Sequence, residues 1–96
     1  MIMTVLEARV ATNHLSDVER VFREGMQPLP PEIVESYLVR DTNDPSLFRL
    51  TTLWRSMEAL EAMRKSGVKP KGLQMFEAVG AKPFLSVFEV VVHAHH

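Results

Sequence analysis

Apolar and polar residues alternate with a period of two in four stretches of the chain and recur at helical spacing in three others. Ile2 to Ala11 is rich in β-branched residues. It splits into an apolar face of Ile2, Leu6, Ala8 and Val10 and a mixed face of Met3, Val5, Glu7 and Arg9, and predicts a first strand. Ser16-Asp17-Val18-Glu19 has capping-box spacing, with Ser16 as cap and Glu19 reaching back. Val18, Val21, Phe22, Gly25 and Met26 then predict an amphipathic helix over residues 17–27, ended by Pro28, Pro30 and Pro31. Ile33 to Arg40 and Leu47 to Arg55 read as second and third strands. Between them, Asp41-Thr42-Asn43-Asp44-Pro45 carries the chemistry of a hairpin turn. Ser56 stands where a helix N-cap belongs, and a second helix runs from about Met57 to Ser66, with Met57, Leu60 and Met63 inward and Gly67 as its stop. After a linker over Val68 to Gly72, the residues Leu73, Phe76 and Val79 predict a short third helix closed by Gly80 and Pro83. Phe84 to Val92 forms the last strand.

The order β-α-β-β-α-(α)-β, with right-handed crossovers, predicts an α+β, ferredoxin-like domain: an antiparallel sheet with helices on one face and the other face bare in a monomer. One domain spans residues 1–92, followed by a His-rich tail at 93–96. A chain of 96 residues buries only about 60–65% of its unfolded surface. It has no cysteine, so disulfides, thiolate metal sites and a cysteine nucleophile are excluded. Oligomerisation is then the simplest source of further burial.

The block from Tyr37 to Met63 says most about kinship. A strand ends in the lone Trp54, followed by Arg55 and a helix start Ser56-Met57-Glu58-Ala59-Leu60. This Trp followed by Ser-x-Glu-Ala-Leu resembles the antibiotic-biosynthesis-monooxygenase (ABM) family, small domains of the dimeric α+β barrel superfamily. The resemblance implies a homodimer in which two sheets pack face to face. Glu7, Arg9, Glu35, Arg49 and Glu89 lie in strands and share one parity. In such a barrel Glu7, Arg9, Arg49 and Glu89 are expected between the sheets, where buried charges need partners. Cross-strand ion pairs fixing the dimer register are the ordinary reading; a proton relay or substrate clamp is the functional one.

Trp54 either fills a core or lines an apolar pocket on which an aromatic substrate stacks. Phe48, Leu50, Thr52 and Trp54 share a strand face, and Phe22, Leu60, Leu73 and Phe76 are placed to close a cavity from the helices. The expected substrate-binding set is therefore Trp54, Phe22, Phe48, Leu50, Leu60 and Phe76. The family's anthrone oxygenases pair the Trp with Asn and Tyr residues; comparable places here hold Leu50 and Leu60. Its haem-degrading branch uses a helix histidine where this chain has Arg64, and an asparagine that the first strand lacks. The expectation is accordingly no cofactor and no metal. Besides Trp54, the candidates for proton chemistry are Tyr37 and Arg64 in the pocket and His14 at its mouth. His93-x-His95 could place two imidazoles on one side of a strand, although a solvated tail, His96 included, is the simpler reading.

Charge removes other classes. Eleven basic and twelve acidic residues give a net charge of −1, and the densest basic stretch, Arg64-Lys65 with Lys69 and Lys71, is too sparse for a nucleic-acid stripe. MIMTVLEARV has no basic n-region and meets charge at Glu7, so no signal peptide is expected. No apolar run reaches membrane-span length, and a cytoplasmic location is expected. The scattered glycines form no phosphate loop, and no Ser has a nucleophile-elbow context. The leading expectation is a cofactor-independent monooxygenase acting on a small phenolic or quinol-like aromatic compound. The alternative is a non-catalytic dimeric module that binds a small apolar metabolite or serves as a partner domain. A third, weaker reading is an isomerase or dehydratase using His14 or Tyr37 as base.

Overall fold

A computed structural model describes all 96 residues. The chain runs β1 (Ile2–Arg9), α1 (Leu15–Gly25), β2 (Ile33–Arg40), β3 (Leu47–Trp54), α2 (Met57–Lys65), α3 (Lys71–Ala78) and β4 (Phe84–Glu89). The four strands form one sheet in the order β2-β3-β1-β4, every neighbouring pair antiparallel. This is the ferredoxin-like α+β architecture that the alternation of elements predicts.

Register decides what each face carries. Ile2, Thr4, Leu6 and Ala8 of β1 stand opposite Trp54, Thr52, Leu50 and Phe48 of β3, and the helices pack on this face. The opposite face carries Met3, Val5, Glu7, Thr51, Leu53 and Arg49, and no helix covers it. The hairpin β2–β3 is fixed by side chains. The Asp41 carboxylate accepts from the amides of Asn43 at 2.8 Å and Asp44 at 2.9 Å. Asp44 in turn accepts from Ser46 Oγ at 2.7 Å and from Arg9 at the end of β1. These bonds, Ser46 first and Arg9 second, hold the Asp44 carboxyl below its ordinary pKa.

Three details of the elements depart from the sequence reading. The capping box Ser16–Glu19 does not form: the chain enters α1 through a 3-10 turn over Thr12–His14, so the helix opens at Leu15 and Ser16 already lies inside its first turn. Met57 is exposed, since α2 turns only Leu60 fully inward, with Met63 half-buried and Ser56 capping through Ala59 N at 3.1 Å. The valines at 90–92 lie outside β4, because β1, the only neighbour of β4, begins at Ile2 opposite Glu89.

The shared parity of the five strand charges misleads for one of them: Glu89 stands opposite Ile2 and so takes the helix-side face, whereas a bulge between Ile33 and Glu35 puts Glu35 opposite Leu53, on the uncovered face with Glu7 and Arg49. Glu7 and Arg49 do meet across the uncovered face, at 2.6 Å. Arg9, at the strand end, instead clamps the hairpin through Asp44.

The core is in two parts. The larger joins α1 and α3 to the Ala8–Phe48 end of the sheet through Val18, Phe22, Met75, Phe76 and Val79. The smaller holds Ile2, Trp54 and Leu60 at the opposite end. Phe22 and Phe76 meet edge to face, ring centres 4.9 Å apart at 66°. Phe76 is fully buried, so Phe76→Ala should cost about 3–5 kcal/mol. Against a total of roughly 5–15 kcal/mol for such a domain, the urea midpoint of this variant should fall by at least about a fifth of the wild-type value; an unchanged midpoint would contradict the packing.

Candidate functional site

Between the two parts of the core lies a cavity of about 430 Å³. Its floor is the helix-side face of the sheet: Thr4 and Leu6 from β1, Ile33 and Ser36 from β2, Leu50, Thr52 and Trp54 from β3. Leu60, Met63 and Arg64 of α2 form one wall and Gly72, Leu73 and Met75 of α3 another, with Pro28, Leu29 and Pro30 closing the side. The start of α3 comes down close onto the sheet. A Cβ on Gly72 would lie 2.6 Å from Leu50 Cδ2 and 2.9 Å from Leu6 Cδ1, so any larger residue here would have to push these two leucine ends aside.

The polar groups of the floor are hydroxyls and one indole. Trp54 Nε1 donates to Thr4 Oγ1 at 3.0 Å, fixing the ring plane from the neighbouring strand. The hydroxyls of Ser36 and Thr52 are 2.8 Å apart, and Ser36 Oγ also lies 3.4 Å from the Thr51 carbonyl, to which it can donate. No buried side-chain polar atom is left without a partner. No Asp, Glu, His or Tyr lines the cavity; its ionisable side chains are Arg64, Lys69 and Lys71 at the rim. The first turn of α3 meets this rim without a side-chain cap or an acidic residue, which adds positive potential.

Trp54, Leu50, Leu60 and Arg64 of the expected residues therefore lie together around the cavity. Phe22, Phe48 and Phe76 do not line it, because they fill the larger part of the core. Phe48 shares the face of Trp54 but lies six residues back along β3, about 20 Å at strand rise.

Tyr37 belongs to the other face of the sheet, where its hydroxyl donates to Glu35 at 2.8 Å. That bond to a carboxylate raises the Tyr37 pKa above the ordinary 10.0, so it stays protonated and is no base. His14 sits before α1 beside Asp17, its Nδ1 3.3 Å from the carboxylate, away from the cavity lining. His93 and His95 stack at 5.4 Å between ring centres in the exposed tail, and no group of three or more His, Cys, Asp or Glu side chains is placed to hold a metal ion.

Thr4 and Ser36 were missed by sequence reasoning. Thr4 interrupts the apolar face Ile2-x-x-x-Leu6 with a hydroxyl, a signal that was present; Ser36 is brought to the floor by the β2 bulge, which leaves none.

The model of the antibiotic biosynthesis monooxygenase family matches residues 1–77, about four-fifths of the chain. The chain belongs to that family. Solved structures agree on the fold at low identity. A protein assigned as an antibiotic biosynthesis monooxygenase from Deinococcus radiodurans superposes with a TM-score of 0.73 at 12% identity, covering 100% of this chain and 98% of the other. A counterpart from Chloroflexus aurantiacus gives 0.68 at 17% identity, with 99% and 96% covered. A variant of MhuD, solved with two manganese protoporphyrin IX molecules bound per active site, gives 0.75 at 18% identity over 100% of both chains. No curated protein sequence matches this one. In this ABM domain no histidine reaches the cavity, so its lining does not fit imidazole ligation of a haem iron.

Proposed function

We propose that this ABM domain is a cofactor-independent monooxygenase acting on a small phenolic or quinol-like aromatic compound held against Trp54. The observation that carries the reading is the cavity itself: about 430 Å³, apolar on most of its walls, with one indole and a hydroxyl pair as fixed polar groups. That is the composition of a pocket for a flat ring with one oriented polar substituent.

Trp54 and Leu60 would flank the ring, and a phenol oxygen would bond the Ser36–Thr52 pair. The phenolate of an electron-rich substrate passes an electron to dioxygen, and the resulting pair combines at a ring C–H carbon to give a hydroperoxide. Loss of water then leaves one oxygen as a new carbonyl; the other departs as water with the hydrogen of that carbon and the proton first lost from the phenol hydroxyl. The chain's own part is to bind, exclude bulk water and donate hydrogen bonds to the phenolate. Its hydroxyls can pass a proton on but cannot keep one, so substrates that ionise easily should react best.

The same proposal places two chains face to face through the uncovered side of the sheet. Phe84 is 70% exposed and Phe88 51%, and Val39 and Tyr37 share that face. A folded monomer of 10.9 kDa is expected to expose about 5,600 Å², whereas this chain exposes 6602 Å². The segment after Glu89 accounts for part of the excess, and the sheet face supplies the apolar remainder. About 800 Å² per partner is typical of a stable interface. Glu7–Arg49 would be enclosed there as a register-fixing pair.

The alternative, a non-catalytic dimeric module binding a small apolar metabolite, is favoured by the absence of any carboxylate or imidazole from the cavity. Oxygen uptake with hydroquinones and anthrone-like phenols, in the presence of chelator, separates the two. Saturable uptake lost in Trp54→Ala is expected; binding of the same compounds without uptake would establish the alternative. Light scattering should give twice 10.9 kDa for the wild type and a monomer for Phe84→Asp/Phe88→Asp. A wild-type monomer at micromolar concentration contradicts the face-to-face dimer.

A further inference from the structure

The basic stretch noted in the sequence does not face open solvent alone: three of its members stand at the rim of the Trp54 cavity. Arg64, Lys69 and Lys71 all border it, and no Asp or Glu does. Two of the three are already engaged. Arg64 reaches Glu61 at 3.3 Å, one helical turn back, and Lys69 reaches Glu77 at 2.7 Å. Lys71 makes no ion pair. With Glu61 and Glu77 counted against Arg64 and Lys69, the rim keeps one uncompensated positive charge, on Lys71. Above an apolar cavity such a charge is screened less than on open surface, so it discriminates between ligands by their own charge.

We infer that the ligand of this cavity is an aromatic carboxylate: a flat apolar body seated against Trp54 and Leu60, with an acid group directed to the rim and paired with Lys71. This rests on reading the cavity as a ligand site and narrows what that site accepts. A neutral ring of the same shape fills the same apolar volume but leaves Lys71 with water alone. A cationic ring is disfavoured by the unpaired charge of Lys71 at the mouth. Arg64 is a second donor to the acid group only if it leaves Glu61. An exposed pair three residues apart on a helix is weak enough to exchange.

The experiment compares two probes of equal shape, 2-naphthoate and 2-naphthamide, by titrating the fluorescence of Trp54, the one tryptophan of the chain. Naphthoate should bind about fivefold more tightly than naphthamide, as expected for one partly exposed ion pair. The preference should vanish in Lys71→Gln, persist in Lys71→Arg and shrink from low to high salt. Lys71 is exposed, so neither variant threatens folding. Equal binding of the two probes to the wild type, or a preference unchanged in Lys71→Gln, overturns the anion assignment while leaving the cavity a ligand site. If neither probe binds, the reading of the cavity fails and this inference fails with it.

Discussion

Everything distinctive in this domain follows from a sheet whose helix-side face is too long for the helices that cover it. α1 and α3 pack as a pair over one end, where Phe22 and Phe76 interlock. α2 lies over the other end and buries only Leu60 against Ile2 and Trp54. Close packing would normally join two such clusters into one core. Here Gly72 brings the start of α3 down on Leu6 and Leu50, and the prolines at 28 and 30 hold the opposite wall, so the space between stays open. An unfilled apolar space of this size is costly to a small domain. Its retention, together with hydroxyls that are all partnered, is what a site for a flat ligand requires.

The two faces of the sheet divide the work. The helix side carries the cavity and its hydroxyls; the uncovered side carries Glu7–Arg49 flanked by Phe84 and Val39, with Leu53 and Phe88 farther along beside Met3. Trp54 and Thr4 are locked together across β1 and β3, and the residues beside them in sequence, Leu53 and Met3, point to the other face. Pairing two chains through that face would stiffen the strands that carry the indole without placing anything in the cavity. The proposed ligand site and the proposed assembly surface are thus separated by one sheet thickness, and each can be altered alone.

Much of the architecture was legible because its signals are local. Asp41 and Asp44 mark the hairpin, Ser56 caps α2, and Trp54 closes β3 before that cap. What could not be read depends on how distant segments align. Alternation tells which residues of one strand share a face, but not how far along the face each lies. Phe48 was therefore grouped with Trp54 although the two belong to opposite parts of the core. Parity also fails to carry across strands. The register of β4 on β1 sends Glu89 to the face opposite that expected, and the bulge in β2 carries Tyr37, with its partner Glu35, to the uncovered face and out of the site. The hydroxyl of Thr4 was overlooked as a mere interruption of an apolar face, and that of Ser36 because only the β2 bulge brings it to the cavity floor.

The central claim is that the gap between the two parts of the core is a preformed site and not a place where the packing closes in solution. The most direct measurement is an NMR map of contacts between 2-naphthol and the methyl groups of the protein. Intermolecular contacts are expected from the ring protons to the methyls of Leu50, Leu60 and Met63, all of which line the gap. Absence of those contacts, together with direct contacts between the methyls of Leu50 and Leu60, would show a closed core and contradict it.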